Sequence, residues 1–221
     1  MSKNIDIISL EITWNNLKSI ADESYITFMK SAFSTNIKER HDHSTAITNS
    51  KGKLIAQAEN ALPANLASMG GLIQHVIDEY GENIFEGDIF IANDPHVAGG
   101  THLPDINMAM PIFSKNQLMG FVANIVHHAD VGGAAVGSMS GGLNEIYKEG
   151  LRIPLVRLYN KSKIVNDVFR LLLLNMRLSD ERKGDLNAQI SACRLGVKRV
   201  KELISKHNEV YLNNIFEEIL K

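Results

Sequence analysis

Between residues 8 and 33 the apolar positions Leu10, Trp14, Leu17, Ala21, Phe28 and Ala32 recur at steps of three, four or their sums, which predicts an amphipathic N-terminal helix. Two short β-prone runs, 45–48 and 53–58, flank Asn49-Ser50-Lys51-Gly52 and read as a hairpin. Leu66, Met69, Ile73, Val76, Ile77 and Tyr80 restore the helical step, and Gly81 stands where a left-handed C-terminal cap belongs. A short apolar strand is expected over 88–93, and a second hairpin pairs 106–113 with 117–126 around Ser114-Lys115-Asn116. Further on, 151–158 reads as a strand and 166–177 as a helix. The segment 185–207 reads as a long helix with Leu186, Ile190, Cys193, Val197, Val200 and Ile204 on one face. A last amphipathic piece, 210–220, carries the stripe Tyr211, Leu212, Ile215, Phe216, Ile219 and Leu220, which needs a surface to cover it. The whole is expected to be one α+β domain over residues 1–221: an N-terminal helix, antiparallel hairpins forming a mixed or antiparallel sheet, and C-terminal helices.

Composition narrows the partners. Lys and Arg number 23 against 25 Asp and Glu, a net charge of −2, so no broad cationic field exists to attract nucleic acid or anionic lipid. The single Cys193 excludes an internal disulfide framework, and no apolar run approaches the roughly 20 residues needed to span a bilayer. Met1-Ser2-Lys3-Asn4-Ile5-Asp6 lacks the apolar core of a secretory signal, so a cytoplasmic location is expected.

The candidate chemistry is concentrated between Asn93 and Gly133, where His96, His102, His127 and His128 lie among glycines and the aspartates 94, 105 and 130. Imidazole with carboxylate suits a divalent first-row ion such as zinc, manganese or iron. His102 and Asp105 precede one strand of the second hairpin and His127 ends its neighbour, so an antiparallel pair brings them to the same end. Pro104 fixes the backbone between the first two. Asp42, in His41-Asp42-His43-Ser44, can close the set, and His128 or Asp130 are alternatives to His127, because alternation along a strand turns only one of the adjacent histidines inward. Glu149, Asp130 and His128 are the candidates for moving protons. Asn93, Asp94, His96 and the pairs Gly99-Gly100 and Gly132-Gly133 are the candidates for substrate contact; neither glycine pair has phosphate-loop spacing, so no nucleotide site is expected. Ser138 lacks the G-x-S-x-G elbow of serine hydrolases.

Taken together, Glu39-Arg40-His41-Asp42-His43-Ser44, Asn93-Asp94-Pro95, Gly99-Gly100-Thr101-His102-Leu103-Pro104-Asp105, His127-His128-Ala129-Asp130-Val131-Gly132-Gly133, Glu149-Gly150-Leu151-Arg152-Ile153-Pro154 and Gly184-Asp185-Leu186-Asn187-Ala188-Gln189 resemble the hydantoinase B and oxoprolinase B family. That family includes B-type subunits of hydantoinase, 5-oxoprolinase and caprolactamase and the related acetone and acetophenone carboxylase subunits. The resemblance implies a metal-dependent subunit with Asp42, His102, Asp105 and His127 as ligands. It implies hydrolysis of a cyclic amide of the hydantoin, 5-oxoproline or lactam type beside an A-type subunit that uses ATP. Carboxylation of a ketone, or a non-catalytic accessory role, are the alternatives. Members run much longer, which implies a further polypeptide supplying the remainder. Two departures stand out: His43 where an aromatic residue is usual, read as a polar group at the rim, and Asn65 where a histidine is usual, read as a change in substrate contact.

Overall fold

The computed structural model describes residues 5–96 and 101–221; Gly99 and Gly100 lie outside the described residues. Helix α1 (Ile7–Ser31) starts on the side chain of Asp6, which accepts the Ser9 amide at 2.9 Å. It is followed by a short α2 (Thr35–Lys38), the hairpin β1 (His43–Asn49) and β2 (Leu54–Gln57), then α3 (Pro63–Tyr80) with proline in its first turn. Gly81 ends α3 with φ 47° and ψ −118°, a backbone conformation open to glycine rather than the left-handed helical cap expected.

Strands β3 (Ile89–Ala92), β4 (Asp105–Ser114), β5 (Gln117–His127), β6 (Val156–Asn160) and β7 (Lys163–Ile164) complete a seven-stranded antiparallel sheet in the order β2-β1-β5-β4-β3-β6-β7. Helices α4 (Asn166–Asn175), α5 (Ser179–His207) and α6 (Glu209–Ile219) follow. The sheet is covered on both faces, so β4 and β5 are buried almost throughout instead of alternating with solvent. Met69, Leu72, Ile73 and Val76 of α3 meet Ala109, Phe121, Ala123 and Ile125 on one face. On the other, Val122 packs with Leu17 and Ala21 of α1, Val197 and Val200 of α5, and Leu212 and Phe216 of α6.

Three expectations are corrected. The strand expected over 151–158 begins only at Val156, because Pro154 has no N–H for a ladder; residues 93 and 153 are tied by Asn93 instead, whose amide reaches the Ile153 carbonyl at 3.1 Å. The long C-terminal helix starts earlier, at Ser179, after Leu178 adopts φ 52°. The α6 stripe is covered within the chain: Leu212, Ile215 and Phe216 are buried, and the Tyr211 hydroxyl meets Thr13 Oγ1 at 3.0 Å.

Because Phe216 fills the layer between α1, α5 and the sheet, Phe216→Ala is expected to cost about 3–5 kcal/mol in urea unfolding with unchanged elution volume. A wild-type unfolding midpoint together with a shifted elution volume would show that the stripe serves a second chain.

Candidate metal centre

The rung that closes the β4–β5 ladder sets Asp105 directly opposite His127, with both side chains on the face that carries α3. Just before β4, the Asp105 amide bonds the His102 carbonyl at 3.0 Å, a tight turn through Leu103-Pro104 that folds the His102 ring back over its own aspartate. The result is a triangle. His102 Nε2 lies 3.1 Å from Asp105 Oδ1 and 3.1 Å from His127 Nδ1, and His127 Nδ1 lies 3.3 Å from Asp105 Oδ1. Ligands about 2.0–2.2 Å from one ion stand roughly 2.8–3.6 Å apart in octahedral or tetrahedral arrangement, so the three atoms are spaced as a divalent site requires. Asp42 stands beside them, its Oδ2 4.0 Å from His127 Nδ1, on a segment laced to β5 by the His127 amide to the Asp42 carbonyl at 3.1 Å. Its side chain is 41% exposed, against about a tenth for Asp105 and His127, so it has more room to move than either.

The charges suit a cation. Burial alone would push the Asp105 carboxyl up, but hydrogen bonds from His102, His127 and Thr101 outweigh it and hold the group well below the usual carboxylate range. The bond to Asp105 raises His102 above the ordinary histidine value against its partial burial, with help from Glu149 and Asp42. His102 and Glu149 open on a cavity of about 470 Å³ that also takes in Ser138, Ser140 and Leu143.

The adjacent histidines part company as strand alternation requires. His127 joins the cluster, whereas His128 is fully buried on the α5 side, its Nε2 3.3 Å from Gln189 Oε1, and does not reach the cavity. Asp130 is likewise committed: its oxygens accept the amides of Gly132 at 2.7 Å and Gly137 at 2.9 Å and the Arg177 guanidinium at 3.0 Å. Asn93 is buried and holds three backbone groups, donating to Leu103 at 2.6 Å and Leu151 at 2.9 Å and accepting from Ile153 at 2.6 Å, and so braces the His102 turn. Asp94 caps its own turn through the His96 amide and pairs with Arg152 at 2.7 Å, while His96 is exposed. Gly132 gives its amide to Asp130, and a Cβ on Gly133 would strike the 148–149 backbone at 2.6 Å. That pair marks a close chain crossing, against which a second cavity of about 550 Å³ rests, bounded by Tyr147 and Arg152.

Sequence reasoning missed two contributors. Thr101 donates its hydroxyl to Asp105 Oδ2, a partner hinted at by its place beside His102. Arg177 ties Asp130 to the carbonyls of Gly132, Gly133 and Ala135 from forty residues away, with no local signal. The two departures also resolve. His43 is buried, not at a rim: its ring stacks on Tyr25 at 3.9 Å and meets the edge of Phe28 at 4.9 Å. Asn65 is buried against Ser44 Oγ at 3.1 Å.

The family model described as Hydantoinase B/oxoprolinase matches residues 6–221. An uncharacterized protein of Methanocaldococcus jannaschii is 40% identical over 208 residues, covering 93% of this chain and 37% of its own. The 5-oxoprolinase 1 of Arabidopsis thaliana is 35% identical across 94% of this chain and 17% of its own. The crystal structure of the ATP-dependent caprolactamase from Pseudomonas jessenii superposes with a TM-score of 0.89 at 30% identity, over 98% of this chain and 37% of that one. The chain thus spans little more than a third, or less, of the length of these relatives.

The loop tether is testable by pH. Burial pushes the Asp130 carboxyl up, but the amides of Gly132 and Gly137 and the Arg177 contact outweigh it and depress its pKa. Its stabilisation is therefore present above the ordinary carboxylate value of 3.8 and lost as pH falls through the lower folded value. Asp130→Asn is expected to cost about 2 kcal/mol in urea unfolding near neutral pH, with the gap to wild type narrowing below about pH 4. A gap that stays constant through the acid range would contradict this account.

Proposed function

We propose that this chain, which belongs to the hydantoinase B/oxoprolinase family, is the metal-bearing part of an ATP-dependent hydrolase of cyclic amides. The observation that carries the reading is the convergence of His102, Asp105 and His127 within 3.3 Å of one another, with Asp42 alongside. These four would hold a divalent ion of the zinc, manganese or iron class, which when bound supplies Lewis acidity at the mouth of the cavity. Asp105 and His127 are pinned by the sheet, and Asn93 and Thr101 brace the His102 turn and the Asp105 carboxylate, so the donor set is preorganised.

Glu149 is the proton carrier in this scheme: a half-buried carboxylate on the wall of the same cavity as His102, free of the backbone bonds that occupy Asp130. Consumption of ATP is assigned to an A-type partner subunit, and the remaining length of the relatives to a further polypeptide or segment, the whole chain described acting as one domain. The purely accessory reading rested on the α6 stripe, and that stripe is covered by α1 and α5.

Purified protein dialysed against zinc, manganese and iron is expected to retain about one ion per chain, and His102→Ala to retain at most a tenth of that by elemental analysis. Equal metal content in the two, both folded by circular dichroism, defeats the ligand assignment. With the A-type partner and ATP, Glu149→Gln is expected to lower turnover of a lactam or 5-oxoproline about 10²–10⁴-fold while metal content stays at the wild-type level. Full turnover in that variant would move proton transfer elsewhere.

A further inference from the structure

One motif of the chain has no part in the chemistry above: Gly184-Asp185-Leu186-Asn187-Ala188-Gln189, on α5, across the sheet from the cluster. Two of its polar side chains, Asp185 and Gln189, are fully buried, where each would be costly unless it made bonds worth keeping. Gln189 Nε2 donates to the Ile106 carbonyl at 2.9 Å, one residue beyond Asp105, and its Oε1 faces His128 Nε2 at 3.3 Å, one residue beyond His127. Its own carbonyl accepts Asn124 Nδ2 of β5 at 2.9 Å, a third tie after those to Ile106 and His128. Asp185 Oδ1 accepts the amides of Phe33 at 2.7 Å and Ser34 at 3.0 Å, while Arg182 approaches its other oxygen at 3.2 Å. The 33–34 turn leads into α2, and the Asn36 carbonyl of α2 receives the Asp42 amide at 3.3 Å. The three segments that carry the four donors are therefore all fastened, from behind, to six residues of one helix.

We infer that Asp185 and Gln189 are positioning residues for the cluster, Asp185 acting through the 33–34 turn on Asp42 and Gln189 acting through Ile106 and His128 on Asp105 and His127. The inference rests on the reading of the cluster as a metal site and adds to it the element that sets the donor spacing. Neither residue belongs to the cluster itself. A helix is suited to this work because its own backbone is satisfied internally, so its side chains fix strands without competing for the ladder.

The experiment compares the full chain carrying Gln189→Met, Asp185→Asn or Val200→Ala with wild type, Val200 being a buried core residue about three turns along the same helix. Zinc affinity is read by competition with a chromophoric chelator, coordination by the visible bands of the cobalt-loaded protein, and stability by thermal unfolding. Zinc binding about tenfold weaker, with altered cobalt bands, is expected in the two motif variants. Val200→Ala is expected to lower the melting temperature with affinity unchanged. Motif variants that melt lower yet bind zinc and cobalt as wild type does would overturn the inference. If Gln189→Met fails to fold, Asp185→Asn, which keeps an acceptor oxygen for the 33–34 amides, carries the same comparison. If wild type binds neither metal, the metal reading fails and hydrogen exchange decides the clamp alone: faster exchange over residues 103–107 and 126–128 in the motif variants, absent in Val200→Ala, upholds it, and unchanged exchange removes it.

Discussion

Everything at the site depends on one rung of the sheet, Asp105 opposite His127. Residues directly opposite in an antiparallel pair share a face with their Cβ atoms about 5 Å apart, so carboxylate and imidazole meet at 3.3 Å without any loop having to be ordered for them. A slip of one residue would send His127 toward α5 and bring His128 round in its place. The register is held by packing that differs on the two faces: Ala109, Ala123 and Ile125 fit under α3, whereas Met108, Val122 and Val126 fit against the helices behind. Any slip would exchange the two sets and misfit both.

The same periodicity explains what was readable beforehand. Long helices and paired strands announce themselves through repeated apolar steps, and the hairpin pattern of β4 and β5 alone puts His102, Asp105 and His127 at one end. What a period of two could not settle was which of His127 and His128 faces the cluster, because that phase depends on which face each helix covers. The strand expected from Leu151 was shortened by Pro154, a residue whose missing N–H was visible in the chain but whose neighbour in the ladder was not. The α6 stripe looked unpartnered because its cover, Leu17, Ala21 and Val200, comes from distant segments. Around the glycine-rich loops the partners of the polar side chains were not legible, since Asn93 and Asp130 point into backbone groups that no local pattern discloses.

Those two residues show how an irregular region is made rigid. The stretch from Ala129 to Leu155 contributes no strand or α-helix, so its buried backbone groups need partners from side chains. Asn93 supplies three bonds and Asp130 with Arg177 supplies seven more, fastening the loop to the turn of His102 and to the end of α4. Glu149 lies within this braced region, which is why a carboxylate on an irregular segment can hold a fixed place on the cavity wall. Polar residues near a site thus divide by what their lone pairs and protons already meet, and those left unengaged are the ones available to a ligand.

His43 applies that division to the residue next to Asp42. Buried with neither ring nitrogen bonded, its imidazole would be expensive to charge, and burial, with His41 nearby, pushes its pKa down to about 3. At neutral pH it is a flat, uncharged ring between Tyr25 and Phe28, which is how a histidine can occupy a position where the resemblance leads one to expect an aromatic residue. The uncharged state matters to its neighbour. A protonated ring there would set a buried positive charge one residue from Asp42. Stacking on α1 turns the ring to the far side of the strand, and desolvation keeps it neutral, so Asp42 remains available to the cluster it borders.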